Sequence, residues 1–134
     1  MPTTDVQQEN ISIVRRGFEA FANADMAALT TLFHPKATWH AMPAGVLGGT
    51  RTGRDDIFTM FALTAQETGG DFHVHPKTFA AAGDDVFVRV TASGKRNGKF
   101  LDSDEVILFT LSEGTVRDVR MYMHDHPANE AFWT

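Results

Sequence analysis

The sequence predicts a single α+β domain in which helices cover one face of a curved, mostly antiparallel sheet. Apolar residues recur at helical spacing before residue 70, and they alternate with polar residues after residue 72. Helices gathered on one side of such a sheet define an α+β fold. The chain has 134 residues, which is the size of one domain (residues 1–134) with a substantial buried core.

Two helices open the chain. Apolar residues lie on one helical stripe within residues 6–33, and residues 1–8 are expected to form a flexible N-terminal segment. Asp25 is a suitable N-cap for the second helix, which should end before Pro35. A short strand over residues 37–42 follows.

A third, longer helix is predicted after a glycine-rich loop or small hairpin over residues 45–53. Helical spacing returns over Arg54–Thr68, acidic residues occupy the first turn, and Gly69 and Gly70 end the helix. This helix must lie across the concave face of the bent sheet. The sequence therefore predicts a cone-shaped sheet wrapped around three helices. Because the sheet and the third helix cannot touch along their whole length, an apolar pocket is expected between them.

Four strands complete the sheet. They are predicted over Phe72–Ala82, residues 85–93, residues 100–111 and Thr115–Met123. Glycine-containing turns separate them, and Asn97-Gly98 is the strongest of these hairpin signals. The tail over residues 127–134 is predicted to anchor itself through its apolar end.

Composition excludes several classes of function. The net charge is −5, and no run of Lys and Arg exceeds two residues, so neither nucleic acid nor a membrane surface is an expected partner. The chain has no cysteine, which excludes disulfides, thiolate metal sites and a cysteine nucleophile. No apolar segment reaches the length of a membrane span or a signal core, so a cytoplasmic location is expected.

Short motifs along nearly the whole chain resemble those of the SnoaL-like domains in the nuclear-transport-factor-two-like superfamily. They occur in the expected order as Phe18-Glu19-Ala20-Phe21, Asp25-Met26-Ala27-Ala28-Leu29, Thr38-Trp39-His40, Gly53-Arg54-Asp55-Asp56-Ile57, Gly114-Thr115-Val116 and Ala131-Phe132-Trp133. The resemblance implies a cystatin-like α+β barrel with an apolar pocket.

The same resemblance implies several activities and does not choose among them. The superfamily includes ketosteroid isomerases, polyketide cyclases, limonene-epoxide hydrolases, dehydratases and non-catalytic binding modules. In its enzymes a carboxylate or histidine in the pocket acts as a general acid or base, often without a cofactor, and none is expected here. Phe18 and Phe21 stand where the isomerases carry a tyrosine in the first helix, which argues against a strict ketosteroid isomerase.

Three catalytic candidates follow from the need for a proton-transfer group in an apolar site. His40 ends the first strand near the glycine-rich loop, and a neutral imidazole exchanges protons near pH 7. Asp104 shares a strand face with Asp102, and that face is expected to continue into the pocket. Asp125 follows the last strand at the expected pocket mouth. Each residue also has a purely structural interpretation. His40 would be a hydrogen-bonded residue at a strand end, Asp104 a solvated residue at a strand start, and Asp125 part of an ordered linker.

Other residues are predicted to bind the ligand. Arg89, in an apolar strand, either points inward to a carboxylate or Asp104, or faces a partner subunit. Tyr122 is expected to donate a hydrogen bond to an oxyanion. The remaining predicted pocket residues are Trp39, Met42, Phe58 and Phe61.

A metal site is not expected. His73 and His75 share a strand face, but a His-x-His pair is short and frequent.

The leading hypothesis is therefore a cofactor-independent acid/base enzyme acting on a small apolar molecule that carries a carbonyl or an epoxide. Its reaction would be isomerisation, cyclisation, dehydration or hydrolysis. The alternatives are a non-catalytic binding module and a structural dimerisation domain with a filled interior. Strands that are apolar on both faces usually bury both, which predicts a homodimer through the sheet.

Overall fold

The computed structural model describes residues 5–41 and 45–134. The elements in chain order are α1 (Asp5–Ala22), α2 (Met26–Leu32), β1 (Phe33–His40), β2 (Thr50–Thr52), α3 (Arg54–Thr68), β3 (Phe72–Ala82), β4 (Asp85–Arg96), β5 (Lys99–Ser112), β6 (Thr115–Met123) and α4 (His126–Trp133). The predicted α+β class is confirmed.

One six-stranded sheet runs in the order β2-β1-β6-β5-β4-β3. Strands β1 and β6 are parallel, and the other neighbouring strands are antiparallel. The short strand β2 and the long strand β3 form opposite edges, so the sheet does not close into a complete barrel.

The helix boundaries follow from local chemistry. The Asp25 carboxylate accepts a hydrogen bond from the Ala28 backbone N–H at 3.1 Å and so caps α2. That helix ends at Leu32, before Pro35 as predicted. Strand β1 begins earlier than expected, at Phe33, because Phe33 already pairs with Val116 of β6.

The C-terminal tail folds as a fourth helix, where the sequence predicted three helices and an apolar end. The Asp125 carboxylate accepts from the Ala128 N–H at 3.0 Å, and a proline stands in the first turn of α4. Both are ordinary helix-start signals. At the other terminus, residues 5–8, expected to precede the first helix, belong to α1.

The two faces of the sheet differ sharply in burial. Strand β5 turns Leu101, Ile107, Phe109 and Leu111 inward with Ser103 and Glu105 among them, while Asp102 and Asp104 face outward. Helices α1, α2 and α3 pack on the inner face, and α4 packs against β5. In the described part of the chain, no helix combines the length and apolar character needed to cross a membrane.

Candidate functional site

A cavity of about 130 Å³ lies between the helices and the inner face of the sheet. Its lining comes from α1, α2, α3, α4 and the four strands β1, β3, β5 and β6, and it is apolar apart from two side chains, Thr64 and Glu105. Trp133 and Leu101 enclose it near α4, where they pack together with Phe132.

Aromatic rings form much of this lining. Trp39 and Phe61 line the cavity as predicted, with their ring centroids 5.4 Å apart in an edge-to-face arrangement. The Trp39 indole N–H donates to the sulfur of Met121 at 3.2 Å, which fixes the indole. Phe58 packs against Phe61 and is not among the lining residues, contrary to its predicted position. Met42 lies outside the described residues.

Glu105 is the one titratable side chain among the described lining residues. It is 4% exposed. Burial raises the pKa of its carboxyl, Ser103 partly offsets this by hydrogen bonding to the carboxylate, and the nearby charge of Asp104 adds a smaller upward shift of the pKa. A carboxyl group with a raised pKa in an apolar cavity is one arrangement that suits general acid/base chemistry.

A buried polar chain connects Glu105 to α4. Asn129 of α4 is 1% exposed, and its Nδ2 donates to Ser103 Oγ at 2.9 Å. The same Nδ2 donates to the backbone oxygen of Asp125, also at 2.9 Å. Helix α4 is therefore tied to Ser103, which lies beside Glu105 on the inner face of β5.

Two cations hold the C-terminal end of α4. The buried guanidinium of Arg96 donates to the Phe132 carbonyl at 3.0 Å and to the Glu67 carboxylate at 2.9 Å. Lys99 Nζ donates to the Ala131 carbonyl at 2.9 Å. Positive charge at this end suits the helix dipole and its unpaired carbonyl groups.

His40 belongs to a separate polar cluster on the outer face of the sheet. Its Nε2 lies 2.8 Å from Asp118 Oδ1, and Thr50 Oγ1 lies 3.4 Å from its Nδ1. Thr38 also donates to Asp118, and Arg120 Nε donates to the same carboxylate at 3.0 Å. Burial of Asp118 acts to raise its pKa, but these hydrogen bonds outweigh burial and lower the pKa.

Asp104 and Arg89 lie on the same outer face, so the predicted inward orientation of Asp104 is corrected. Arg89 Nε and Nη2 donate to the two carboxylate oxygens at 3.3 and 3.2 Å. This bidentate hydrogen bonding lowers the pKa of Asp104. The pairing of Arg89 with Asp104 that the sequence suggested is present, but on the exposed side of the sheet.

Asp125 and Tyr122 also lie away from the cavity lining. Asp125 caps α4, and Tyr122 is 53% exposed on the outer face, where it pairs in register with Val106. Of the predicted site residues in the described chain, only Trp39 and Phe61 are brought together in the cavity.

The cavity carboxylate was absent from the sequence-based candidates, although strand alternation contains the signal for it. Positions 101, 107, 109 and 111 of β5 are all apolar, and Glu105 shares their parity. The other parity contains Asp102 and Asp104. A comparison of the two faces therefore assigns the inner one to Glu105.

Metal binding finds no support in the side-chain arrangement. Within residues 5–41 and 45–134, no three histidine or acidic side chains come together in a group that could hold a metal ion. His73 and His75 stack on each other, and His73 Nε2 lies 3.1 Å from Asp71 Oδ1.

Known proteins with similar sequences and structures fit this architecture. Bal32a, from a soil-derived mobile gene cassette, superposes with a TM-score of 0.94 at 34% identity, over 97% of this chain and 100% of that one. TerC, co-crystallized with polyporic acid, superposes with a TM-score of 0.81 at 25% identity, over 92% of this chain and 97% of that one. An uncharacterised protein of Mycobacterium tuberculosis is 30% identical over 125 residues, covering 92% of this chain and 95% of that protein.

The sequence model of one protein family matches most of the chain. This family is the SnoaL-like domain, and the match covers residues 14–119, from α1 into β6. This stretch contains nearly all of the cavity lining, including Glu105. The resemblance read from the short motifs is thereby confirmed, and the chain belongs to the SnoaL-like domain family.

Proposed function

We propose that this protein is a cofactor-independent acid/base enzyme that acts on a small uncharged molecule, with Glu105 as the proton-transfer group. The observation that carries this proposal is one buried carboxyl group in the wall of an otherwise apolar cavity. The coarse class of reaction is the one expected from the sequence, but the residue differs from His40, Asp104 and Asp125.

The environment of Glu105 suits proton transfer to and from carbon or an epoxide oxygen. Burial raises its pKa toward neutrality, so that the carboxylate is a stronger base and the acid form persists at higher pH. The Ser103 hydroxyl limits that rise. A group whose pKa approaches the working pH serves both as acceptor and as donor of a proton.

The walls define the chemical class of the ligand. Among the described lining residues there is no cation to pair with an anionic group, and burying an unpaired charge is costly. The Thr64 hydroxyl already donates to the Met60 carbonyl at 2.9 Å, so toward a ligand it can only accept a hydrogen bond. A neutral molecule with a carbonyl or epoxide facing Glu105 matches the polarity of this lining. A hydroxyl group on the same molecule could in addition donate a hydrogen bond to Thr64.

The size of the cavity restricts the ligand further. An apolar protein cavity of about 150 Å³ holds a benzene molecule, whereas drug-sized ligands occupy about 300–1,000 Å³. The volume of about 130 Å³ therefore favours a molecule of one ring over a polycyclic one. Co-crystallization of the relative TerC with polyporic acid supports the broader idea that this fold binds small organic molecules.

Exchange of carbon-bound protons tests the proposal without knowledge of the natural substrate. Cyclohexanone in D₂O is a suitable probe, because removal of an α-proton by Glu105 gives an enolate that then takes up a deuteron. We expect the protein to accelerate α-deuteration, measured by NMR, and Glu105→Gln to lose about 10²- to 10⁴-fold of that acceleration. Asp104→Asn is the matched control, since Asp104 lies on the outer face of the same strand.

The second candidate function is a binding module that uses the same cavity. It is favoured by the absence of a second titratable group among the described lining residues. Under this alternative, cyclohexanone binds, as detected by ligand NMR, but α-deuteration proceeds at the rate of buffer alone in the presence of either the wild type or Glu105→Gln. Equal exchange rates in the wild type, the variant and buffer would therefore exclude the enzyme.

A further inference from the structure

Helix α4 lies against the strand that carries Glu105, and it contributes a buried side chain with no evident part in the apolar core. Asn129 is 1% exposed and is fully enclosed between α4 and β5. Its Nδ2 makes two hydrogen bonds, while its Oδ1 has no partner among the described residues. A buried amide used in this one-sided way needs an explanation, because buried polar atoms are normally paired.

The orientation of the amide is determined by the Asp125 backbone. The carbonyl oxygen of Asp125 can only accept a hydrogen bond, so the side-chain atom of Asn129 that faces it at 2.9 Å must be the NH₂ group. Exchanging Oδ1 and Nδ2 would place two acceptors against each other and leave a buried NH₂ group without a partner. The NH₂ group consequently also faces Ser103, to which it donates at 2.9 Å.

A donor on one side of Ser103 determines what its hydroxyl does on the other side. A serine hydroxyl has one hydrogen, and the oxygen of Ser103 already accepts from Asn129. Ser103 and Glu105 are two residues apart on the buried face of β5, so the Glu105 carboxylate is the neighbouring acceptor for the remaining hydroxyl hydrogen. Hydrogen bonds arranged in such a chain strengthen one another.

We propose that Asn129 is a positioning residue for Glu105, which acts through Ser103 by forcing the serine hydroxyl to donate to the carboxylate. The chain of donation runs from Asn129 Nδ2 to Ser103 Oγ and from Ser103 to Glu105. It holds Glu105 in place and keeps it available as a proton acceptor despite burial. This role rests on the proposed function of Glu105, and it makes the docking of α4 a condition for the chemistry.

The surroundings of Glu105 contain few other influences on its titration. The lining residues from α1, α3 and β6 that face the cavity are uncharged. On its own strand, Asp104 faces the opposite side, and its charge adds only the smallest of the three influences on the Glu105 pKa, an upward one. On α4, Asp125 caps the helix at the surface. Changes at Ser103 and Asn129 can therefore be read in the titration of Glu105.

The test is a double-mutant cycle on the titration midpoint of the Glu105 carboxyl, followed by ¹³C NMR on the full chain without ligand. Ser103→Ala is expected to raise the midpoint, and Asn129→Ala to raise it by a smaller amount, since the freed serine can then accept from protonated Glu105. In the Ser103→Ala background, Asn129→Ala is expected to add no further shift. Ser103→Thr keeps the hydroxyl and is expected to keep the midpoint.

Two further variants separate positioning from mere stability. Asn129→Leu keeps the number and branching of the side-chain heavy atoms and should shift the midpoint as Asn129→Ala does, which preserves the test if the alanine variant fails to fold. Asp25→Ala removes the cap of α2 and should lower the thermal midpoint without moving the Glu105 titration. An unchanged midpoint in both Asn129 variants, or an equal shift with and without Ser103, would overturn the role of Asn129. Because no ligand is used, this outcome is independent of α-deuteration by Glu105.

Discussion

Asp104 and Glu105 are neighbours in sequence, yet their carboxyl groups lie on opposite faces of β5 and their pKa values shift in opposite directions. Hydrogen bonds from Arg89 lower the pKa of Asp104 on the outer face. Burial raises the pKa of Glu105 on the inner face. One strand thus provides a carboxylate that stays ionised to lower pH on the solvent side and a carboxyl group suited to proton transfer on the cavity side.

The opposite shifts predict opposite effects on stability when the two carboxyl groups are replaced by amides. A raised pKa in the folded state means that the contribution of protonated Glu105 is fully present below its unfolded pKa and is lost as the pH rises through its folded pKa. Glu105→Gln should therefore become progressively more stable relative to the wild type as the pH rises above about 4.5, by about 1.4 kcal/mol for each unit of pKa shift.

Asp104→Asn is the matched variant for this comparison. The lowered pKa of Asp104 contributes stability above its unfolded pKa, and that contribution is lost as the pH falls through the folded pKa. The asparagine variant should therefore lose stability relative to the wild type as the pH rises through the acid range. Urea unfolding between pH 3 and pH 8 measures both trends, and parallel curves for the two variants would contradict the assignment of the faces.

The overall fold was predictable because it depends on patterns that extend over many residues. Helical spacing gave the bounds of α3, and strict alternation gave those of β3 and β6, as the structure has them. The helix α4 was not predicted, since eight residues give too short a pattern to reveal a period. Its start was nevertheless marked by Asp125 and the following proline.

The candidate site was less predictable because it depends on which face of a strand is buried. A shift of one residue in the assigned alternation of β5 puts Asp104 in place of Glu105 on the inner face. The sequence of one strand does not by itself indicate which of its faces the helices cover. Only the three-dimensional packing brings Trp39, Phe61 and Glu105 to one cavity. The link from Asn129 to Ser103 joins residues 26 positions apart and has no local signal.

Arg96 is predicted to contribute much of the stability of α4. Arg96→Ala removes the buried guanidinium that joins the Phe132 carbonyl to Glu67, and the loss should be roughly 2–3 kcal/mol, because Glu67 is partly exposed and regains some hydration. Lys99→Ala, at the same helix end but exposed, should cost less than about 1 kcal/mol. Denaturant unfolding measures the free energy of unfolding of both variants. Equal losses would argue against the buried Arg96–Glu67 ion pair as the main interaction that holds α4.

The outer face of the sheet is proposed to pair with a second copy of the chain, as the apolar strands led us to expect. Phe87 pairs in register with Leu108, and Val106 with Tyr122, so four apolar or aromatic side chains adjoin at the centre of this face. The ion pair of Arg89 and Asp104 borders them and can exchange partners across a two-fold axis.

Sedimentation velocity tests this association. The wild type should sediment with twice the chain mass of 14.8 kDa, and Val106→Glu should sediment as a monomer because it places a charge at the centre of the patch. Ser93 lies on the same outer face of the sheet, toward the far end of β4, so the Ser93→Glu variant should remain a dimer. A wild type that is monomeric at micromolar concentration would exclude the dimer.

Gly17 and Gly94 are predicted to respond in opposite ways to a single added methyl group. Gly17 lies inside α1 and lines the cavity, and a Cβ there would have Leu32 Cδ1 as its nearest neighbour at 4.0 Å. Gly17→Ala should therefore stabilise the protein by about 0.5–1 kcal/mol, since alanine favours the helix and meets no clash. Its methyl group takes up part of the cavity, so cyclohexanone affinity should fall.

At Gly94 a Cβ would lie 2.9 Å from the Asp71 carbonyl oxygen, and Gly94→Ala should cost roughly 1–3 kcal/mol. Thermal unfolding and ligand NMR on both variants measure these effects. Unchanged cyclohexanone affinity in a stabilised Gly17→Ala protein would show that the ligand does not occupy this cavity.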